Sequence, residues 1–127
     1  MNTNQSYAID ISVMTKFLPE HSDLSAGRYA FAYTVSMSNK GLVAAQLISR
    51  HWLIVDAEHL TQEVRGPGVV GQQPLIDPGQ SFEYTSGCVL ATPVGTMKGS
   101  YHFRAVDGTG FEAEIPSFVL SMPRTLH

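Results

Sequence analysis

"YAFAYTVSMSN", residues 29–39, decides the fold class. Tyr29, Phe31, Tyr33, Val35 and Met37 fall on one parity, and Ala30, Ala32, Thr34 and Ser36 on the other. Successive side chains of a strand point to opposite faces. This period of two, carried by aromatic and β-branched residues, therefore predicts a strand with one large apolar face. "SNKG" at 38–41 closes it in turn chemistry, with Asn39 and Gly41 both of a type that takes up positive φ.

The same device repeats on either side. Tyr7, Ile9, Ile11 and Val13 alternate with Asp10 and Ser12, and "PEHSDLSAG", residues 19–27, reads as a polar loop. Residues 42–56 are apolar on both parities, which predicts a central strand buried on both sides near its ends. A helix over residues 42–48 competes, because "LVAAQLI" suits one; the aromatic and β-branched run from Trp52 to Val55 favours the strand. A short strand at 61–65 follows, then the glycine loop "GPGVVG" at 66–71, then a type II turn centred on Pro78 and Gly79. Residues 81–90 alternate again and set Phe82, Tyr84 and Cys88 on one face. At the end, a three-residue hairpin loop of Asp107, Gly108 and Thr109 would pair Val106 with Gly110, Arg104 with Glu112 and His102 with Glu114. It would also set Tyr101 against Ile115, Phe103 against Ala113 and Ala105 against Phe111, keeping apolar residues together.

About seven short strands with regular turns and no amphipathic helix predict an all-β, antiparallel β-sandwich. The 127 residues suit one domain, 1–127. A composition of 43% hydrophobic and 15% charged residues is that of a globular protein. With 8 basic against 11 acidic residues the net charge is −3, so a nucleic-acid partner is not expected. The one cysteine, Cys88, has no internal partner and fits a reducing compartment. "MNTNQSYAID" has no leader pattern and no apolar run is of membrane-span length, so a cytoplasmic protein away from the membrane is expected.

The glycine loop has the G-x-G-x-x-G spacing of a dinucleotide-binding turn. That site needs a helix opening at the third glycine, and Pro74 and Pro78 leave it no room. Glycine amides can still cradle a small anion, so Arg65, Gly66, Gly68, Val69, Val70 and Gly71 form a candidate anion or nucleotide site beside the reading of a structural loop. For a metal, His51, Asp56, Glu58, His59 and Glu63 are the ingredients, but they lack H-x-H or H-x-x-x-H spacing, and no metal or cofactor is implied. Ser86, Cys88 and Ser100 are candidate nucleophiles with no nucleophile elbow and no histidine placed by sequence. Cys88, on the apolar parity, reads as a buried, inert thiol. Lys98, His102 and Arg104 make a basic stripe that Glu112 and Glu114 oppose.

Across residues 49–103, the R-H-W strand, the Q-E-V-R-G-x-G-V-V-G-x-Q-P loop, the P-G-x-x-F-x-Y-x-S-G-C strand and the M-x-G-S-Y strand occur in one order in which the chain closely resembles the ApaG family. The resemblance implies an immunoglobulin/fibronectin type III-like sandwich. It also implies the family's links with cobalt resistance and magnesium efflux, its gene neighbour encoding a diadenosine tetraphosphate hydrolase, and its use for protein contacts in eukaryotic F-box and DNA-polymerase-interacting proteins. It places Gly66, Gly68 and Gly71 on the family's glycine motif, for which pyrophosphate or nucleotide binding has been suggested. The expectation is a non-enzymatic module with a protein partner, with a phosphate-containing anion as the alternative ligand and direct cobalt or magnesium binding as a third reading. Self-association is a further expectation, since an open sandwich has edges to cover.

Overall fold

The computed structural model describes residues 6–123. It holds eight strands: β1 (Ile9–Phe17), β2 (Tyr29–Asn39), β3 (Ala45–Asp56), β4 (Thr61–Pro67), β5 (Leu75–Ile76), β6 (Ser81–Leu90), β7 (Val94–Ala105) and β8 (Gly110–Ser121). One sheet has the order β1-β2-β6; the other runs β4-β3-β7-β8, with β5 paired to the start of β3. All pairings are antiparallel, and the two sheets form the predicted sandwich. Two single 3₁₀ turns, Pro19–His21 and Leu24–Ala26, occupy the polar loop before β2. The reading of residues 1–10 as leader-free rests partly on residues 1–5, which lie outside the described residues.

β2 is the strand its alternation predicts. Phe31, Tyr33, Val35 and Met37 are buried, and with Leu47, Trp52, Tyr84, Met97, Tyr101, Phe103 and Leu120 they make one core between the sheets. Trp52 lies at its centre, edge-on to Tyr33, Tyr101 and Phe118 at 5.4, 6.1 and 5.9 Å between ring centroids. β6 also matches its expected span, and the turn before it has Gly79 at φ 82 with the Gln80 amide donating to the Asp77 carbonyl, as a type II turn requires.

Residues 42–56 behave differently from expectation. The strand starts at Ala45, with Leu42 72% exposed, and it is not buried on both faces near its ends. Its pairing with β7 slips between Leu47 and Ser49, leaving Ile48 as an inserted residue. A β-bulge reverses which parity faces the core: Ala45 and Leu47 point inward before it, Trp52 and Ile54 after it. Apolar residues on both parities are thus the mark of a phase change. β8 repeats it at Pro116, where its register with β7 slips; proline, lacking an N–H, is tolerated at a bulge on an edge strand.

Two turn expectations are corrected. Neither Asn39 nor Gly41 has positive φ. The buried Asn39 side chain organises the turn instead, donating to the carbonyls of Val43 and Ile76 and accepting from the Gly41 amide, all at 2.8–2.9 Å. The last hairpin has a different register: Arg104 pairs with Gly110, Phe103 with Phe111, His102 with Glu112 and Tyr101 with Ala113, so five residues, 105–109, lie inside the closing pair where three were expected. Val106 leaves the ladder to donate to the Ala44 carbonyl, while Asp107 accepts from the Thr109 amide and from the Tyr7 hydroxyl. The shift moves each pairing by two residues on one strand, so every side chain keeps its predicted face and only its partner changes.

Candidate functional site

The glycine loop is built onto the β3 bulge. The Ile48 carbonyl accepts from the Gly68 amide at 2.9 Å and from Gln73 Nε2 at 2.8 Å, and the Leu47 amide donates to the Pro74 carbonyl. Val69 and Gln72 exchange both backbone hydrogen bonds across a tight turn, with Val70 at φ 48 and Gly71 at φ 76 in its centre. Two positive φ values make this a type I′ turn. No helix opens at Gly71; the chain goes on to β5. Gly66 faces Arg50 in the β3–β4 ladder, two residues from the bonded Ile48–Gly68 pair, so the antiparallel alternation commits its amide to Arg50. Of the six candidate anion-site residues, Val69 is buried in the core, and the amides of Gly66, Gly68 and Val69 are already donated. Val70 and Gly71 are exposed, and among the described residues neither amide donates a backbone hydrogen bond.

Arg65 turns from the glycines toward Glu63, at 2.8 Å, and Glu63 also holds His51 Nε2 at 2.6 Å. Those hydrogen bonds keep the Glu63 carboxyl below its ordinary value, so it stays ionised against Arg65. On the same outer face His102 Nδ1 meets Glu112 at 2.9 Å, where Glu114 was the expected partner. Together Arg50, His51, Arg65, Gly66, His102 and Glu112 border a shallow depression of about 270 Å³. Gly68, Val69, Val70 and Gly71 lie outside it. Asp56 caps its own turn by accepting from the amides of Glu58 and Leu60, and His59 sits in that turn at φ 66. Among the described residues no three His, Cys, Asp or Glu side chains gather as a metal site.

The residue missed in the sequence is Arg50. Its Nη1 donates to the carbonyls of Pro67 and Gly68 at 3.0 and 2.9 Å, fastening the loop to β3. Among the described residues it has no carboxylate partner, and its charge acts on the hydroxyls of Tyr33, Tyr84 and Tyr101. Nothing in the sequence pairs residue 50 with carbonyls 17 and 18 positions later; the only signal is its place in the R-H-W strand. Arg50 stands at the mouth of a groove between β4 and β6, walled by Val64 and Cys88 over Trp52. Cys88, expected to be buried, is half-buried, and that burial pushes its thiol up to about 11. The Tyr84 and Tyr101 hydroxyls share a buried hydrogen bond of 2.6 Å, and burial raises both, Tyr84 to about 12. Among the described residues the buried Trp52 Nε1 has no hydrogen-bond partner. Ser86, on β6, lines the groove and Ser100, on β7, lies on the outer face of the other sheet; among the described residues neither hydroxyl is hydrogen-bonded to a histidine.

Comparison with known proteins agrees with this architecture. Residues 19–105 match the family model described as ApaG domain. Over 127 residues, the whole of both chains, the sequence is 61% identical to Protein ApaG of Thiobacillus denitrificans and 58% identical to Protein ApaG of Methylobacillus flagellatus. The crystal structure of the ApaA protein of Bordetella pertussis superposes with a TM-score of 0.92 at 55% identity, covering 95% of this chain and 98% of that one.

Proposed function

This chain belongs to the ApaG family, and from that premise we propose that it is a non-enzymatic binding module that recognises a partner protein by adding a strand to a free sheet edge. One observation carries the reading: the sandwich is closed on one side and open on the other. β1 packs along β8, whereas β4 and β6 stay apart across a groove. Natural sheets guard free edges with lysine, proline, bulges or charge. β1 carries Lys16, β4 carries Glu63 and Arg65 and ends in Pro67, and β8 carries Pro116 and a bulge. β6, "SFEYTSGCVL", has 10 residues in unbroken register with β2, no proline, no lysine and a single acid near its start. An unguarded edge of that length is a template for β-augmentation.

The test is capture from native lysate followed by titration, with Val89→Lys as control. Val89 is 48% exposed on β6, so a lysine there guards the edge without entering the core. A saturable protein partner lost in Val89→Lys supports the reading; the absence of any saturable partner across lysates overturns it.

A second reading is a phosphate-bearing anion. It is favoured by the depression beside Gly66, which Arg50, Arg65, His51 and His102 border together with Glu112. Calorimetry with pyrophosphate and with ATP, with and without Mg²⁺, tests it, and no heat at millimolar ligand ends it.

A further inference from the structure

Building on the edge-binding reading, we propose that the segment added to β6 carries a carboxylate that seats on Arg50, with its apolar side chains lying in the groove between β4 and β6. The charge pattern of the groove sets this requirement. Arg50 has no acidic partner among the described residues, and only its Nη1 is engaged, by two loop carbonyls. Its Nη2 and Nε donors are left for a ligand, in the fork geometry that suits a carboxylate. The loop carbonyls hold the guanidinium in place, so little side-chain entropy is lost when an anion arrives.

The shape of the groove selects an extended peptide over a free small anion. Its main cavity, about 280 Å³, is walled by Val64, Cys88 and Val89, and no acidic residue among the described ones lines it. It continues into a smaller cavity of about 120 Å³ beside Leu60, the two sharing Ile54, Gln62 and Val89. Leu60 is 64% exposed there. A linear channel beside a free strand offers backbone pairing along its length and apolar cover for alternate side chains. The far end carries Asp56, already occupied with two amides of its own turn. The positive end is therefore Arg50, and the negative group of the peptide belongs there.

The test uses a display library of random octapeptides against the immobilised full chain, followed by titration of the selected peptides through the emission of Trp52, the only tryptophan. The expected peptides alternate β-branched or aromatic residues with an acid at one constant position. Replacing that acid by its amide weakens binding about tenfold or more, as for loss of a charge-assisted hydrogen bond, and leaves the protein untouched. Arg50→Gln gives a like loss, and Lys16→Gln, at an exposed position of β1 away from the groove, leaves affinity unchanged. Peptides without a common acid, or with equal affinity in acid and amide forms, overturn the proposal. If Val89→Lys still abolishes capture of a protein partner in that case, the edge-binding reading stands alone. If no peptide is selected and no partner is captured, both fall.

Discussion

Substituting the three loop glycines singly by alanine separates a loop shaped by its own backbone from one shaped by a ligand. Gly68 has φ 58, and a Cβ there would stand 2.3 Å from the Gln72 carbonyl oxygen, which cannot yield because Gln72 and Val69 exchange two hydrogen bonds. The left-handed conformation costs alanine roughly 1–2 kcal/mol, forced overpacking adds about 1–3, and the stiffer unfolded chain offsets about 0.4–1. Gly68→Ala should therefore cost roughly 3 kcal/mol, a fall in Tm on the order of 10 °C at this chain length. Gly71, at φ 76 with nothing within 4 Å of its virtual Cβ, carries only the conformational penalty, so alanine there should cost about 1 kcal/mol or less. Gly66 has no positive φ, and its Cβ would meet the Arg50 guanidinium at 3.0 Å, a flexible end that yields; Gly66→Ala should be near neutral for folding while displacing Arg50. Urea unfolding followed by Trp52 emission gives the three values. Equal costs at Gly68 and Gly71, or a Gly68→Ala variant within about 0.5 kcal/mol of the parent, would refute this reasoning.

Further outcomes follow from the core. Tyr84→Phe and Tyr101→Phe should each cost about 1–2 kcal/mol, because each leaves the other buried hydroxyl without its 2.6 Å partner; the double variant should cost clearly less than the sum, read from a double-mutant cycle by denaturant unfolding. Asn39→Ala strands two carbonyls and one amide in the interior and should cost roughly 3 kcal/mol in thermal unfolding; a loss under about 1 would contradict the turn's description. Cys88, raised from 9.0 to about 11, should react with iodoacetamide at pH 8 about a hundredfold more slowly folded than unfolded. Both Cys88 and Tyr84 have folded values above their unfolded ones. The stability they contribute is complete below about pH 9, where neither state has ionised, and is lost as pH rises to about 12. Unfolding free energy should decline across that window, and a rise there would contradict the burial of both groups.

β6 was legible to the residue and β2 to within two residues, the strand running on through Ser38 and Asn39 where a turn was expected, because alternation and turn chemistry are local. β3 was legible as a strand but its phase was not. A bulge is settled by what lies across the ladder, and Ile48 looks like any other apolar residue until its carbonyl is seen holding Gly68 and Gln73. The hairpin register failed for a related reason. Two registers that differ by two residues satisfy the same face pattern, and contacts from Ala44 and Tyr7, far away in the chain, decide between them. In the candidate site, Pro74 and Pro78 correctly excluded the nucleotide-binding helix. Arg65 and Glu63, two apart and on the same face of β4, pair with each other, whereas Arg50 reaches the loop only through the fold.

The most direct test of a partner-binding groove is nitrogen–proton correlation NMR of the labelled chain during titration with a captured or selected partner. Trp52 is the only tryptophan, so its indole N–H gives a single cross-peak from the groove floor. At saturation that peak should move together with the amides of β4 and β6, leaving β1 and the outer-face residues Lys98 and Glu114 in place. Saturable binding that shifts the outer face or the 68–73 turn while the Trp52 peak stays still would contradict the account.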